Sequence, residues 1–172
     1  GYTVDETTTL FKTITITPAA AKDSTIRYNG TTLKQGETIT GENGGTATVD
    51  SKNNTITLDN FKGNYPLEFN AEFTPNSIIL IGDSTLSAVE TKYQNLTISG
   101  SGSLTVGSIK VHNQKASSDD KPNLTINGAT VTVGTAELTT RAIDIDGDLT
   151  VTNGSLTATS ASNNVPTVQV GG

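Results

Sequence analysis

Three stretches of this chain can be written under one another almost without gaps: NLTISGSGSLTV from Asn95, NLTINGATVTV from Asn123 and DLTVTNGSLTA from Asp148. Each runs polar, apolar, Thr, apolar, turn, apolar, hydroxyl, apolar or Ala. In a pleated strand, Leu96 and Ile98, Leu124 and Ile126, and Leu149 and Val151 then share one face, while Thr97, Thr125 and Thr150 share the other. The second strands continue the alternation with Leu104 and Val106, Val131 and Val133, and Leu156 and Ala158 facing inward. Between them lie Gly100 and Gly102, Asn127-Gly128 and Asn153-Gly154, residues that accept positive φ at a tight corner. A unit of about 25 residues that cannot bury its apolar face alone must stack on its neighbours.

Two fainter copies precede these, SIILIGDSTLSA from Ser77 and NTITLDNF from Asn54. Taking Ile56, Ile78, Leu96, Leu124 and Leu149 as anchors, the spacings are 22, 18, 28 and 25 residues. Coils joined by loops of variable length account for that irregularity. A third strand per coil is expected at Leu67–Phe69, Ile109–Val111, Ile143–Ile145 and Val168–Val170, which would align Glu68, Lys110, Asp144 and Gln169 in one outward column. The expected fold is all-β: a right-handed parallel β-helix, or solenoid, of roughly five irregular coils over residues 53–172. Residues 1–52 do not follow the repeat and are assigned to an N-terminal β cap, because a terminal coil exposes an unpaired edge and an open core. Within them TLFKTITIT from Thr9 alternates as a strand, and Ala19–Lys22 is too short to persist as a helix. The competing arrangement is an antiparallel β-sandwich, since Asn-Gly between alternating strands is also a strong hairpin signal.

Composition agrees with a thin fold. Only 33% of the 172 residues are hydrophobic, yet Thr, Ile and Val recur at every second position, which disordered chains lack. The formal net charge of -6 argues against nucleic acid as a partner, because displacing condensed counterions requires a basic stripe. With no Cys the chain has neither disulfides nor thiolate chemistry, and no apolar run is long enough to span a membrane as a helix. Gly1 followed directly by mature-looking sequence suggests a trimmed form, which leaves open both a removed signal peptide and a continuation past VQVGG.

NTITLDNF and the three repeats, with GTATVDSKNNTITLDNF as a lead-in, resemble the β-helical repeat modules of secreted and surface-attached bacterial proteins described as carbohydrate-binding-domain-like, within the pectate-lyase-like superfold. The resemblance covers about residues 46–172. It implies a secreted or cell-surface location and contact with polysaccharide or a cell-surface partner. The expected function is a non-catalytic structural or adhesive module; the alternative is a polysaccharide lyase or glycoside hydrolase built on the same fold.

Candidate chemistry is sparse. Asp144, Asp146 and Asp148 in RAIDIDGDLTV form the densest acidic cluster, with Asp144 and Asp146 on one outward face and Arg141 nearby. The cluster is expected to be a solvated outer face and corner; the alternatives are that hard carboxylate oxygens at that spacing serve as Ca2+ ligands or as an acid and base pair, and the string does not satisfy an EF-hand loop. Asp119 and Asp120 sit in the insertion HNQKASSDDKP, whose protrusion from a regular scaffold makes them candidate ligand contacts, with the sole histidine, His112, at its root. No Trp is present, so a sugar platform falls to tyrosines: Tyr65 and Tyr93 are candidates for one face of adjacent coils. Phe11, Phe61, Phe69 and Phe73 are assigned to core or cap. The several Asn-X-Thr/Ser triplets are by-products of the repeat.

Overall fold

The computed structural model describes residues 25–115 and 119–172, and among them the chain is all-β, with no helix. The expected strand from Thr9, the Ala19–Lys22 segment, Tyr2 and Phe11 lie outside the described residues. Four strands come first: β1 (Ile26–Tyr28), β2 (Thr31–Thr32), β3 (Thr38–Thr40) and β4 (Thr46–Asp50). They are followed by β5 (Thr55–Asp59), β6 (Pro66–Phe69), β7 (Asn76–Leu80), β8 (Asp83–Leu86) and β9 (Ala88–Thr91). The repeats supply β10 (Leu96–Gly100), β11 (Ser103–Val106), β12 (Ile109–Val111), β13 (Leu124–Asn127), β14 (Thr130–Val133) and β15 (Ile143–Ile145). The last three strands are β16 (Leu149–Thr152), β17 (Ser155–Ala158) and β18 (Val168–Val170).

These strands form three sheets, visited in rotation from β6 onward. One runs β18-β15-β12-β9-β6-β1-β2, a second β16-β13-β10-β7-β5-β4-β3, and a third β17-β14-β11-β8. Among β5 to β18 neighbouring strands pair in parallel, whereas β1 to β4 pair antiparallel, with β1 joining β6 and β4 joining β5. Parallel neighbours need a long crossover between them. From β6 onward the crossover from one strand to its partner is the pair of strands belonging to the other two sheets, whereas β5 reaches β7 through β6 alone. Asn29-Gly30 does close an antiparallel hairpin, pairing Tyr28 with Thr31. Asn127-Gly128 does not: β13 pairs with β10 and β16, so the antiparallel arrangement fails for the repeats.

Register places like on like. Leu96 lies beside Leu124 and Leu149, Ile98 beside Ile126 and Val151, and Leu104 beside Val131 and Leu156. The columns interdigitate into one core with Ile109, Ile143, Val111 and Ile145 from the first sheet. One step of the anticipated alignment shifts: Ile78 stands beside Ile98, and Asn76 takes the place beside Leu96. A two-residue slip leaves every side chain on its original face, so alternation alone could not detect it.

Asparagines join the circuits at the corner before the second sheet. Buried Asn54 accepts from the Thr25 hydroxyl at 2.6 Å and donates through Nδ2 to Asn76 Oδ1; Asn76 Nδ2 in turn donates to the Gln94 carbonyl. In the next circuits Asn95 Oδ1 accepts from the Asn123 N–H at 2.8 Å, and Asn123 Oδ1 from the Asp148 N–H at 2.7 Å. The Asn that opens each Asn-Leu-Thr unit is therefore a staple between circuits. Gly100 ends β10 at φ 111°, and a Cβ there would lie 2.2 Å from the Leu80 carbonyl oxygen, so the corner admits only glycine.

Burial within one column predicts unequal mutational costs. Ile126 is fully buried, whereas Val151 beside it is 41% exposed. Ile126→Ala is expected to cost about 2–5 kcal/mol, and Val151→Ala under about 1.5 kcal/mol, read as melting-temperature losses by calorimetry. Equal losses would contradict this packing.

Candidate functional site

Because inward and outward residues alternate, the outer face of the first sheet carries Glu68, Glu90, Lys110, Asp144 and Gln169 in one column. The column contains the four anticipated residues and one that was missed. β9 had no clear signal, since AVET offers a single large aliphatic residue, Val89, and buries Thr91 in place of a second. Glu68 and Glu90 are therefore like charges on neighbouring strands. Arg27 at 3.5 Å and Lys92 at 3.7 Å draw Glu68 into ion pairs that offset the repulsion.

Lys110 stands beside Asp144 in the expected register, but the Asp144 carboxylate turns elsewhere. Its Oδ2 accepts from Arg141 Nη1 at 3.2 Å and lies 3.6 Å from His112 Nε2. Arg141 reaches it from the loop between β14 and β15, which is braced against the loop between β17 and β18 by the Ala161 N–H donating to the Leu138 carbonyl at 2.7 Å. The two loops and the strand face enclose a cleft of about 320 Å³ lined by Lys110, Thr139, Thr140, Arg141, Asp144 and Val165. Arg141 Nε is buried there without a hydrogen-bond partner. Such a donor carries a desolvation cost within the packed loop. Thr139, Thr140 and Val165 belong to irregular loops, where no periodicity marks a residue in advance.

The three clustered aspartates divide their tasks. Asp146 Oδ2 accepts from the Asn113 N–H at 2.7 Å and so anchors the start of the long insertion. Asp148 belongs to the next corner, where its N–H joins the asparagine staple and its side chain is exposed. Among the described residues, no three His, Cys, Asp or Glu side chains gather as metal ligands. Asp119 and Asp120 are exposed, and the Asp120 carbonyl accepts from Asn113 Nδ2 at 2.8 Å.

Tyr65 and Tyr93 do not form one platform. Tyr65 precedes β6 and Tyr93 follows β9, so they flank opposite ends of two paired parallel strands. Tyr65, 49% exposed, stands edge-on to Tyr28 at 5.8 Å, and Tyr28 edge-on to Phe61 at 5.6 Å. Burial raises the Tyr28 phenol above its ordinary pKa, opposed by backbone hydrogen bonds from Tyr65 and Asn64. Tyr93 instead shares Lys115 with Phe73: the ammonium lies 4.5 Å from the Phe73 ring centre and 5.8 Å from that of Tyr93. Phe61 and Phe69 are core residues as expected, but Phe73 is 78% exposed. A second depression, of about 300 Å³, crosses successive circuits past Asn64, Thr85, Ser87, Thr105 and Thr135, with glycines at 107 and 134 deepening it.

No protein-family profile, curated protein or solved structure matches this chain. Among the described residues no helix is long and apolar enough to cross a membrane.

This division of the aspartates predicts that excess Ca2+ leaves the melting temperature unchanged. A rise that disappears when Asp144 and Asp146 are both changed to Asn would instead place a calcium site on them.

Proposed function

We propose that this chain is a non-catalytic module, secreted or displayed on a bacterial cell surface, that contacts polysaccharide. In this reading the rotating circuits form a right-handed parallel β-helix with an N-terminal β cap, and the helix serves as a rigid spacer and binding face. The observation that carries it is the cleft beside β15, where Arg141 and Asp144 are held together in a lining that also includes Lys110 and two threonines. A fixed donor and acceptor side by side suit the paired hydroxyls of a sugar, Thr139 and Thr140 add further hydrogen-bonding groups, and Val165 offers a small apolar wall for the ring's C–H face. A cleft of this size accommodates a short stretch of a polymer, not an extended chain. The depression past Thr85 and Thr105 supplies a second hydroxyl-lined surface.

The alternative, a polysaccharide lyase or glycoside hydrolase, gains one observation: Glu68 and Glu90 lie on neighbouring strands, about 4.8 Å apart at their backbones, near the separation of paired catalytic carboxyl groups. Two features favour the non-catalytic reading. Neither glutamate lines either of these two clefts, and Arg27 and Lys92 already engage Glu68.

A glycan array followed by titration calorimetry tests the proposal. Binding to a polysaccharide is expected, and Arg141→Gln should weaken it about tenfold or more, the loss of one charged hydrogen bond. Incubation with the same polymer should release neither new reducing ends nor unsaturated products. Absence of binding across the array would reduce the chain to a spacer, and product release would establish the enzymatic alternative.

A further inference from the structure

Four Asn-Gly steps occur in this chain, at Asn29, Asn43, Asn127 and Asn153. Such a step permits an intramolecular reaction, because glycine has no side chain to obstruct it. The glycine backbone nitrogen attacks the asparagine Cγ and loses its proton, while the side-chain nitrogen gains one and departs as ammonia. The resulting five-membered succinimide is opened by water at either carbonyl, giving aspartate or isoaspartate, with no change in oxidation state. Two things are required: a glycine N–H free of other bonds, and a side-chain amide free to swing onto it.

The glycine N–H is engaged at two of the four sites, and at one of these the side-chain amide is engaged as well. Asn43 is tied down, since its Nδ2 donates to the Asn60 carbonyl at 2.7 Å and its Oδ1 accepts from the Gly45 and Lys62 N–H groups, each at 3.3 Å. The nucleophile there is also engaged, with the Gly44 N–H donating to the Gly41 carbonyl at 3.0 Å. Asn127 ends β13, which is paired on both sides by β10 and β16, and the Gly128 N–H donates to the Thr152 carbonyl at 2.9 Å. Asn29 and Asn153 are exposed, as Asn127 is, and none of these three side-chain amides has a hydrogen-bond partner among the described residues; what separates Asn29 and Asn153 from Asn127 is the glycine nitrogen. The N–H groups of Gly30 and Gly154 have no hydrogen-bond partner among the described residues. Both asparagines already stand in the left-handed region, at φ 50° and 54°.

We propose that Asn29 and Asn153 are sites of spontaneous deamidation and that Asn43 and Asn127 are shielded from it by the fold. Each event adds one negative charge to a chain already at -6. As isoaspartate it also lengthens the backbone by one methylene, at the turn between β1 and β2 or at the corner between β16 and β17.

The folded 172-residue protein would be aged in mildly alkaline buffer and its peptides mapped by mass spectrometry, with a parallel sample aged in denaturant. In the folded sample, conversion at Asn29 and Asn153 is expected to run at least tenfold ahead of Asn43 and Asn127. In the unfolded sample the four rates should converge to within a few-fold. Ion-exchange chromatography should resolve more acidic species that Asn29→Gln with Asn153→Gln abolishes. Equal conversion at all four sites in the folded protein, or earliest conversion at Asn43 or Asn127, would overturn the assignment.

Discussion

Each parallel strand of this chain depends on hydrogen bonds to a strand one circuit away in sequence. Asn123 N–H reaching Asn95 Oδ1 and Thr130 N–H reaching the Gly102 carbonyl are contacts of this kind, made across 28 residues. No circuit can satisfy its own backbone, and none has a core of its own; the aliphatic columns are shared between neighbours. From this dependence follow the recurrence of Leu, Ile and Val at matched positions, the small residues at the corners and the high share of outward Thr. Residues that would interrupt stacking are excluded from the corners, and residues that face water are under no such packing constraint.

That freedom is where function becomes available. The outer column of the first sheet replaces Thr by Glu68, Glu90, Lys110 and Asp144, and the loops before β15 and β18 rise beside it to make a cleft. Arg141 is held by Asp144 from one side and keeps a buried Nε without a partner on the other. A scaffold whose strands are locked by their neighbours can hold such a pair in fixed geometry, which lowers the ordering cost of binding. The proposed contact with polysaccharide rests on this coupling of a rigid face to two irregular loops.

Much of the strand pattern was legible because alternation of period two survives in single sequences. Leu96, Leu124 and Leu149 aligned correctly, as did Lys110 with Asp144. Two errors have physical causes. Asn76 is a polar residue in an inward position, tolerated because Asn54 and the Gln94 carbonyl satisfy it, so the anchor of that circuit was displaced to Ile78. β9 carries Thr91 inward, with its hydroxyl bonded to the Gln94 carbonyl at 3.1 Å, and so lacked the apolar pair that marks a strand. The site was less legible. Asp144 and Arg141 were singled out together, but Asp146 and Asp148 proved to be backbone acceptor and corner residue. The pairing of Phe73 with Lys115 and the threonines of the cleft depend on loop paths that no local pattern specifies.

Parallel pairing between circuits can be tested directly, because the chain has no cysteine of its own. Thr97 and Thr125 are outward neighbours on β10 and β13, about 4.8 Å apart at Cα, within reach of a disulfide. In an antiparallel hairpin across Gly100–Gly102, Thr97 would face Thr105 instead. Oxidation of the Thr97→Cys/Thr125→Cys and Thr97→Cys/Thr105→Cys double variants, followed by peptide mapping, separates the two arrangements. Rapid intramolecular disulfide formation in the first pair and none in the second is the predicted result. The reverse would contradict the stacked circuits on which the whole account depends.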